Sequence, residues 1–281
     1  MADKVAVITG SNSGIGLLTA VEMARRHYRV IALMRNLAKR GLLDNAAEQA
    51  GVLARVEARQ LDVTDIPSIA PAVDAIVKDY GRIDTLVNNA GFAMAGFAED
   101  LRLAELRQQF ETNFFGHVEM TKAVIPVMRE QRSGHIIMVS SMSGRTGAPV
   151  LSSYVASKFA MEGWSESLRL ETFSLGIRVV LVEPGAFKTD IWSKNAKVGE
   201  FALDKRSPNH QRGARFTKFL KAHPATRDPG VVARLIADIA DNPHPRLRYL
   251  IGKDAFASIW LRRVLPWKVY EKLVAKITQI D

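Results

Sequence analysis

A chain of 281 residues, 47% hydrophobic and 24% charged, suits one α/β domain with a large core and excludes a disordered or fibrous protein. It contains no cysteine, which excludes a disulfide framework, a thiolate nucleophile and a thiolate metal site; no metal centre is expected. The net charge of +10 sits in the last third: residues 1–185 carry 20 basic and 20 acidic side chains and residues 186–281 carry 19 and 9, so the excess marks one surface and argues against a globally basic nucleic-acid binder.

In chain order, short β-branched runs alternate with helical patterns. Strands are predicted at 5–8, 29–34, 55–61, 83–88, 135–140, 177–183 and 248–251. Helices are predicted between them at 14–27, 36–50, 65–80, 100–131, 152–175 and 228–241. The strand runs are almost continuously apolar, as in strands buried on both faces of a parallel sheet. Strand–helix alternation predicts right-handed βαβ units and an α/β fold with a doubly wound, Rossmann-type sheet in a single domain over 1–281. Within that domain, 1–185 form a core and 227–253 the last helix and strand. Residues 186–226 are long, polar and basic without clear periodicity, which predicts a substrate lid or a disordered loop. Residues 254–281 are a C-terminal extension with helical patterning. Met-Ala-Asp-Lys runs directly into the first strand, so no signal peptide is expected, and no stretch approaches the ~18 apolar residues of a membrane span. A cytoplasmic protein is expected.

The first strand ends in Thr9-Gly10-Ser11-Asn12-Ser13-Gly14-Ile15-Gly16. Glycines there allow a tight turn and close approach of backbone to a pyrophosphate, and the next helix offers free N–H groups to its charge. The turn could equally be a tight strand–helix connection, since its spacing is not GxGxxG. The second strand ends at Met34-Arg35, with no acid to bind a ribose 2′-hydroxyl. Arg35 can instead pair with the 2′-phosphate of NADP(H), with Lys39 and Arg40 in support, or be a solvated loop cation. Asp62, beside Val63, can accept from an adenine amino group; the competing reading is a helix cap, for which Thr64 or Asp65 is better placed. Asn88-Asn89-Ala90-Gly91 puts small residues at the carboxyl edge of the sheet, where a ribose can lie against backbone.

Tyr154 and Lys158 lie four residues apart on a predicted helix and share a face. A cation one turn away is expected to lower the phenol pKa and make a general acid/base. Alone, such a pair also arises by chance, Ser141 reads as a loop hydroxyl and Asn113 as a poor helix residue. Together the order Thr9-Gly10-(x3)-Gly14-Ile15-Gly16, Asn88-Asn89-Ala90-Gly91, Asn113, Ser141, Tyr154-(x3)-Lys158 and Pro184-Gly185-(x3)-Thr189 resembles that of the short-chain dehydrogenase/reductases over about residues 4–190. The resemblance implies that Tyr154 exchanges a proton with the substrate oxygen, and that Lys158 lowers the Tyr154 pKa and binds the nicotinamide ribose. It implies that Ser141 orients the carbonyl and that Asn113 holds a water linking Lys158 to solvent. It places Gly10, Ser11, Ser13, Gly14, Ile15, Gly16, Arg35, Asp62, Val63, Asn89, Ala90 and Gly91 at the cofactor, with Pro184, Gly185, Phe187 and Thr189 in the turn against its carboxamide and phosphates. It also implies a homo-oligomer, dimer or tetramer, in which helices 100–131 and 152–175 pair across a two-fold axis.

Leu61–Asp65, the phrase Tyr154 to Gly163, Glu183 to Phe187 and the C-terminal extension resemble the hydroxysteroid and retinol dehydrogenase branch. Phe187, Trp192, Phe201, Phe216 and Phe219 in the lid fit a bulky apolar ketone or alcohol, or pack the lid to its own domain. Lys188, Lys194, Lys197, Lys205, Arg206, Arg212, Arg215, Lys218 and Lys221 leave open an acidic partner, a carrier-protein or coenzyme A 3-oxoacyl thioester. A non-catalytic NADP sensor or scaffold is a further reading, opposed by the complete Asn113–Ser141–Tyr154–Lys158 set. In the extension, apolar residues from Phe256 recur at three- and four-residue steps between cations, with Pro266 expected to split the segment. Residues 256–281 are therefore either a helix pair covering the pocket or a neighbouring subunit, or a peripheral contact with an anionic membrane.

Overall fold

The computed structural model of the protein describes residues 3–192 and 195–280. Its frame is a parallel sheet of seven strands. β1 (Val5–Thr9) leads to α1 (Gly14–Arg25), β2 (Arg29–Met34) to α2 (Gly41–Gln49), and β3 (Val56–Gln60) to α3 (Ile66–Tyr80). β4 (Thr85–Asn88) is followed by a three-residue strand, β5 (Ala93–Ala95), then α4 (Leu103–Phe110) and α5 (Gly116–Gln131). β6 (Gly134–Val139), α6 (Ser152–Thr172) and β7 (Ile177–Pro184) complete the central part. A second short strand, β8 (Ala196–Val198), α7 (His210–Ala222), α8 (Gly230–Asp241), β9 (Arg248–Ile251), α9 (Lys253–Val264) and α10 (Trp267–Thr278) close the chain.

The strands are ordered β3-β2-β1-β4-β6-β7-β9 and every neighbouring pair is parallel. The apolar runs explain this. Successive side chains of β1 enter opposite layers: Ala6 and Ile8 pack with α1, α2 and α8, while Val5 and Val7 pack with α3, α5 and α6. A strand apolar at every position can be accommodated only between two layers of helices. The chain builds outward from β1 to β3, then returns to place β4 on the other side of β1. This reversal opens a crevice at the carboxyl ends of β1 and β4.

All seven predicted strands form, with ends shifted by at most two residues. Two helix expectations need correction. The helix predicted over 100–131 is interrupted by a π-helical turn at Glu111–Phe115, which contains Asn113. A π-helical turn keeps the chain helical while taking one extra residue, so helical composition alone does not mark it. The segment 186–226 is also more ordered than its composition suggests. It contains α7, in which Phe216 is the buried residue, and β8, which pairs with β5. The split of the extension at Pro266 is present: Leu265 and Pro266 separate α9 from α10.

Met120 of α5 is fully buried against the sheet between α3 and α6 residues. Met120→Ala should lower unfolding free energy by about 2–5 kcal/mol in urea melts, through lost transfer energy and the cavity left behind. A loss below ~1 kcal/mol would show that this layer can collapse around the void.

Candidate active site

The crevice is built on backbone crowding. Gly10 and Gly14 have φ of +67° and +57°, in the region that favours glycine. A Cβ on Gly16 would lie 2.4 Å from Asn89 Nδ2 and 2.5 Å from the Gly10 carbonyl oxygen, so α1 can approach the turn this closely only without a side chain there. Asn89 Nδ2 donates to the carbonyls of Thr9 (2.9 Å) and Gly10 (3.1 Å). In return, Thr9 Oγ1 accepts from the amides of Asn89 (2.9 Å) and Ala90 (3.0 Å). The glycine turn and the Asn88–Gly91 turn are thus clamped as one unit. Gly10, Ser13, Gly14 and Ile15 face the cleft, whereas Ser11 and Gly16 stand behind its wall. Ser11 is buried and its hydroxyl donates to the Ile8 carbonyl (2.8 Å). Ser13 precedes α1 without a side-chain cap, which leaves the first amides of the helix available to an anion.

Arg35 and Lys39 line the next part of the cleft, and Arg35 forms no ion pair with any described residue. Arg40 does not line it; its guanidinium is paired with Asp44 at 2.7 Å. Asp62 and Val63 line the cleft as well. Asp62 closes a turn before α3, accepting from the Thr64 amide (3.0 Å) and hydroxyl (2.8 Å), and Asp65 stands at the helix N-cap, as its position in the sequence suggests, without a side-chain cap bond.

Tyr154 and Lys158 rise from the first turns of α6, both buried. Ser141 follows β6; its hydroxyl bonds the Tyr154 phenol and accepts from the Ser143 amide at 3.1 Å. Lys158 Nζ lies 5.8 Å from the Tyr154 ring centroid and donates to the Val139 carbonyl at 2.8 Å. Burial pushes the Tyr154 phenol up to about 12, with the Ser141 bond acting in the opposite direction. Burial also pulls Lys158 down to about 8, against the raising effect of Glu162. Desolvation is the larger influence on the Tyr154 phenol, and the Lys158 ammonium is directed at the Val139 carbonyl. Asn113 is fully buried. Its amide pairs with both backbone groups of Phe92, accepting from the N–H (3.1 Å) and donating to the carbonyl (3.0 Å).

Several neighbours of these groups escaped the sequence reading. Gln109, one turn before Asn113, also binds the Phe92 carbonyl (2.8 Å), and it accepts from the Met94 amide (2.8 Å). His117 Nε2 lies 2.7 Å from the Ala90 carbonyl, so that nitrogen carries the proton; burial and Lys158 hold the ring at about 3, hence neutral. Behind Lys158 is a buried carboxylate pair, Glu162 on α6 and Glu183 on β7. Arg248 spans them, 3.0 Å from Glu162 and 3.4 Å from Glu183, and Arg145 lies 3.3 Å from Glu183. Burial and the Glu162 charge push Glu183 upward. One signal was available: Tyr154, Lys158, Glu162 and Glu166 follow at four-residue steps, a single stripe on α6.

The far wall comes from the end of the chain. Ala90, Gly91, Pro184, Gly185, Phe187 and Thr189 line the cleft, and Asn89 does so beside its clamp. Asp254 of α9 accepts from the Ala186 amide at 2.6 Å and pairs with Arg227. Phe216 and Phe219 of α7, Leu261 of α9, and Tyr270, Leu273 and Val274 of α10 form an apolar roof. The helix-pair reading of the extension thus holds for its inner face. Phe201 is exposed and lies away from the cleft; Lys194 and the Trp192 side chain fall outside the described residues. Among the described residues, no group of His, Asp or Glu is arranged to hold a metal ion.

Comparison with known proteins agrees with this geometry. Residues 4–198 match the model of the short chain dehydrogenase family. The uncharacterized oxidoreductase YusZ of Bacillus subtilis is 42% identical over 98% of this chain and 99% of its own. Retinol dehydrogenase 8 of Bos taurus is 38% identical over 88% of this chain and 81% of its own. Among solved structures, ElxO with NADP bound superposes with a TM-score of 0.76 at 26% identity, covering 91% of this chain and 99% of that one. With the family's model matched over most of its length and a relative aligned end to end, this protein belongs to the short chain dehydrogenase family of oxidoreductases.

Proposed function

We propose that the protein is an NADP(H)-dependent oxidoreductase that interconverts a bulky apolar ketone or aldehyde and its alcohol. The observation that carries this reading is the buried Tyr154 phenol, bonded to Ser141 under an apolar roof. The cleft fits a nicotinamide dinucleotide: the open amides of α1 suit a pyrophosphate, and Arg35 and Lys39 offer positive charge to a 2′-phosphate. ElxO, a relative in fold and sequence, binds NADP. Asp62 and Val63 would hold the adenine, Asn89 to Gly91 a ribose, Lys158 the nicotinamide ribose, and the Pro184–Thr189 turn the carboxamide. When bound, the reduced nicotinamide supplies a hydride to the carbonyl carbon.

The chain's own groups handle the oxygen. Ser141 donates to it and stabilises its developing charge. Tyr154 gives it the phenol proton, completing the alcohol. A phenol held near 12 is protonated at neutral pH, the form that carbonyl reduction requires. Lys158 then replaces the proton on Tyr154. With its side-chain amide bonded to both backbone groups of Phe92, Asn113 would hold a water through its main chain or the remaining lone pair of Oδ1. Retinol dehydrogenase 8 is a relative, and the roof is apolar, which favours a large hydrophobic substrate. Lys188, Lys218 and Lys221 line the same cleft and favour, as the second reading, an acyl thioester on an acidic carrier. Exposed Phe115 on the α4–α5 side and Phe159, Leu170 and Phe173 on the α6 side support subunit pairing through these helices. A panel of steroid, retinoid, aromatic and 3-oxoacyl thioester carbonyls, read by NADPH consumption, tests the proposal; no turnover of any of them sinks it.

Tyr154→Phe should reduce turnover by ~10²–10⁴-fold or more while leaving NADPH binding, followed by fluorescence titration, nearly unchanged. Arg35→Asp should reverse the NADP preference, with NADPH affinity falling about tenfold to a hundredfold; a wild type that uses NAD and NADP equally contradicts this assignment. The pH profile gives a third check. Lys158 carries its proton below about 8 and loses it above, so kcat/KM for reduction should decline as pH rises through that value. Glu162 raises the Lys158 pKa, so Glu162→Gln should move this limb to lower pH; an unmoved limb would leave Glu162 a structural role only.

A further inference from the structure

The two terminal helices have two working faces. Their inner side chains, Leu261, Tyr270, Leu273 and Val274, complete the roof of the cleft. The outer face of α9 carries Phe256, Trp260 and Val264 at four-residue steps, 57%, 62% and 49% exposed, and Trp267 at the joint is 52% exposed. Scattered single apolar residues on a surface need no explanation, but a stripe of large ones that includes two tryptophans does. The outer face of α10 carries exposed Lys268, Lys272 and Lys276, again one turn apart. Over residues 253–278 there are six cations and two acids. Both acids are engaged within the protein: Asp254 with Arg227 and the Ala186 amide, and Glu271 with the Trp267 indole N–H at 2.5 Å. With Asp254 paired to Arg227 and exposed Glu271 set against six cations, these helices carry a net positive charge.

We propose that the outer faces of α9 and α10 dock on an anionic lipid surface, and that the cleft beneath them is loaded with apolar substrate from that surface. The occupant follows from the chemistry of the patch. A second copy of this chain, paired two-fold through the same patch, would set these cations against their own kind. A nucleic acid would match the charge but would offer no medium for Phe256, Trp260 and Val264. Anionic headgroups above acyl chains satisfy both, and tryptophan favours that boundary. The helices lie in the plane of the surface, since among the described residues no helix is long and apolar enough to cross a membrane. The docking half of the inference stands without the reductase reading; the loading half rests on it.

The test is flotation of the full-length protein with vesicles of phosphatidylglycerol and phosphatidylcholine, or of phosphatidylcholine alone. Binding to the anionic vesicles is expected, with tenfold or greater weakening at about 0.5 M salt, where screening lengths shrink to a few ångströms. Phe256→Ser with Trp260→Ser, and separately Lys268→Gln, Lys272→Gln and Lys276→Gln together, should each weaken it about tenfold or more. Both variants should keep wild-type melting temperature, number of subunits per particle and turnover of a water-soluble ketone. Turnover of an apolar ketone dissolved in anionic vesicles should fall with binding. No flotation on anionic vesicles, equal flotation on neutral ones, or indifference to both variants overturns docking, as does a change in the number of subunits per particle in the apolar variant. Intact flotation without turnover of any ketone would overturn the reductase reading and the loading, and leave docking in place.

Discussion

The fold is organised around one close approach: the ends of β1 and β4, where backbone meets backbone with no room for side chains. Gly16 has no Cβ because Asn89 and Gly10 already occupy that space. Asn89 and Thr9 then tie the two turns together with reciprocal bonds between side chain and main chain. The cleft, the free amides of α1 and the position of the Asn88–Gly91 turn all follow from this contact. Ser11 and Gly16 therefore serve the cleft from behind, by shaping the backbone that a ligand would meet.

The second organising effect is desolvation. Tyr154, Lys158, His117, Glu162 and Glu183 are all buried within a few turns of one another. Charge attraction acts among them, yet in each of Tyr154, Lys158, His117 and Glu183 burial is the largest influence and favours the neutral form. Glu162 is the counterweight that keeps Lys158 able to carry a proton near neutral pH. Arg248 and Arg145 in turn make the buried carboxylates tolerable. The stripe from Tyr154 to Glu166 thus alternates its burden between proton holding and charge balance along one face of α6.

Much of this was legible from residues alone, and the limits are physical. Strands such as β1 and β7 announce themselves because burial on both faces demands apolar residues at every position. Glycines with positive φ, and tyrosine and lysine at a helical interval, are local signals. What was hidden depends on partners distant in sequence. The π turn at Asn113 exists alongside bonds to Phe92, 21 residues away, that no periodicity reports. Glu162 looks like a surface acid until β7 and β9 bring Glu183 and Arg248 to it. Spacing likewise shows a cation near the Tyr154 phenol but not the loss of water around both groups. α7 was overlooked because a roof helix over a cleft needs only a few apolar residues, and its cations obscured them.

Asp254 joins the last part of the chain to the turn at Pro184–Thr189, through the Ala186 amide and Arg227. β9, the sheet's edge strand beside β7, immediately precedes it. A ribosome makes this chain from the amino end, so the glycine turn, Tyr154 and Lys158 emerge well before the residues that close their cleft. A nascent chain would have most of its sheet and no finished pocket until α9 and α10 are made, and a fragment cut before Asp254 would leave behind a sheet with an unsupported turn.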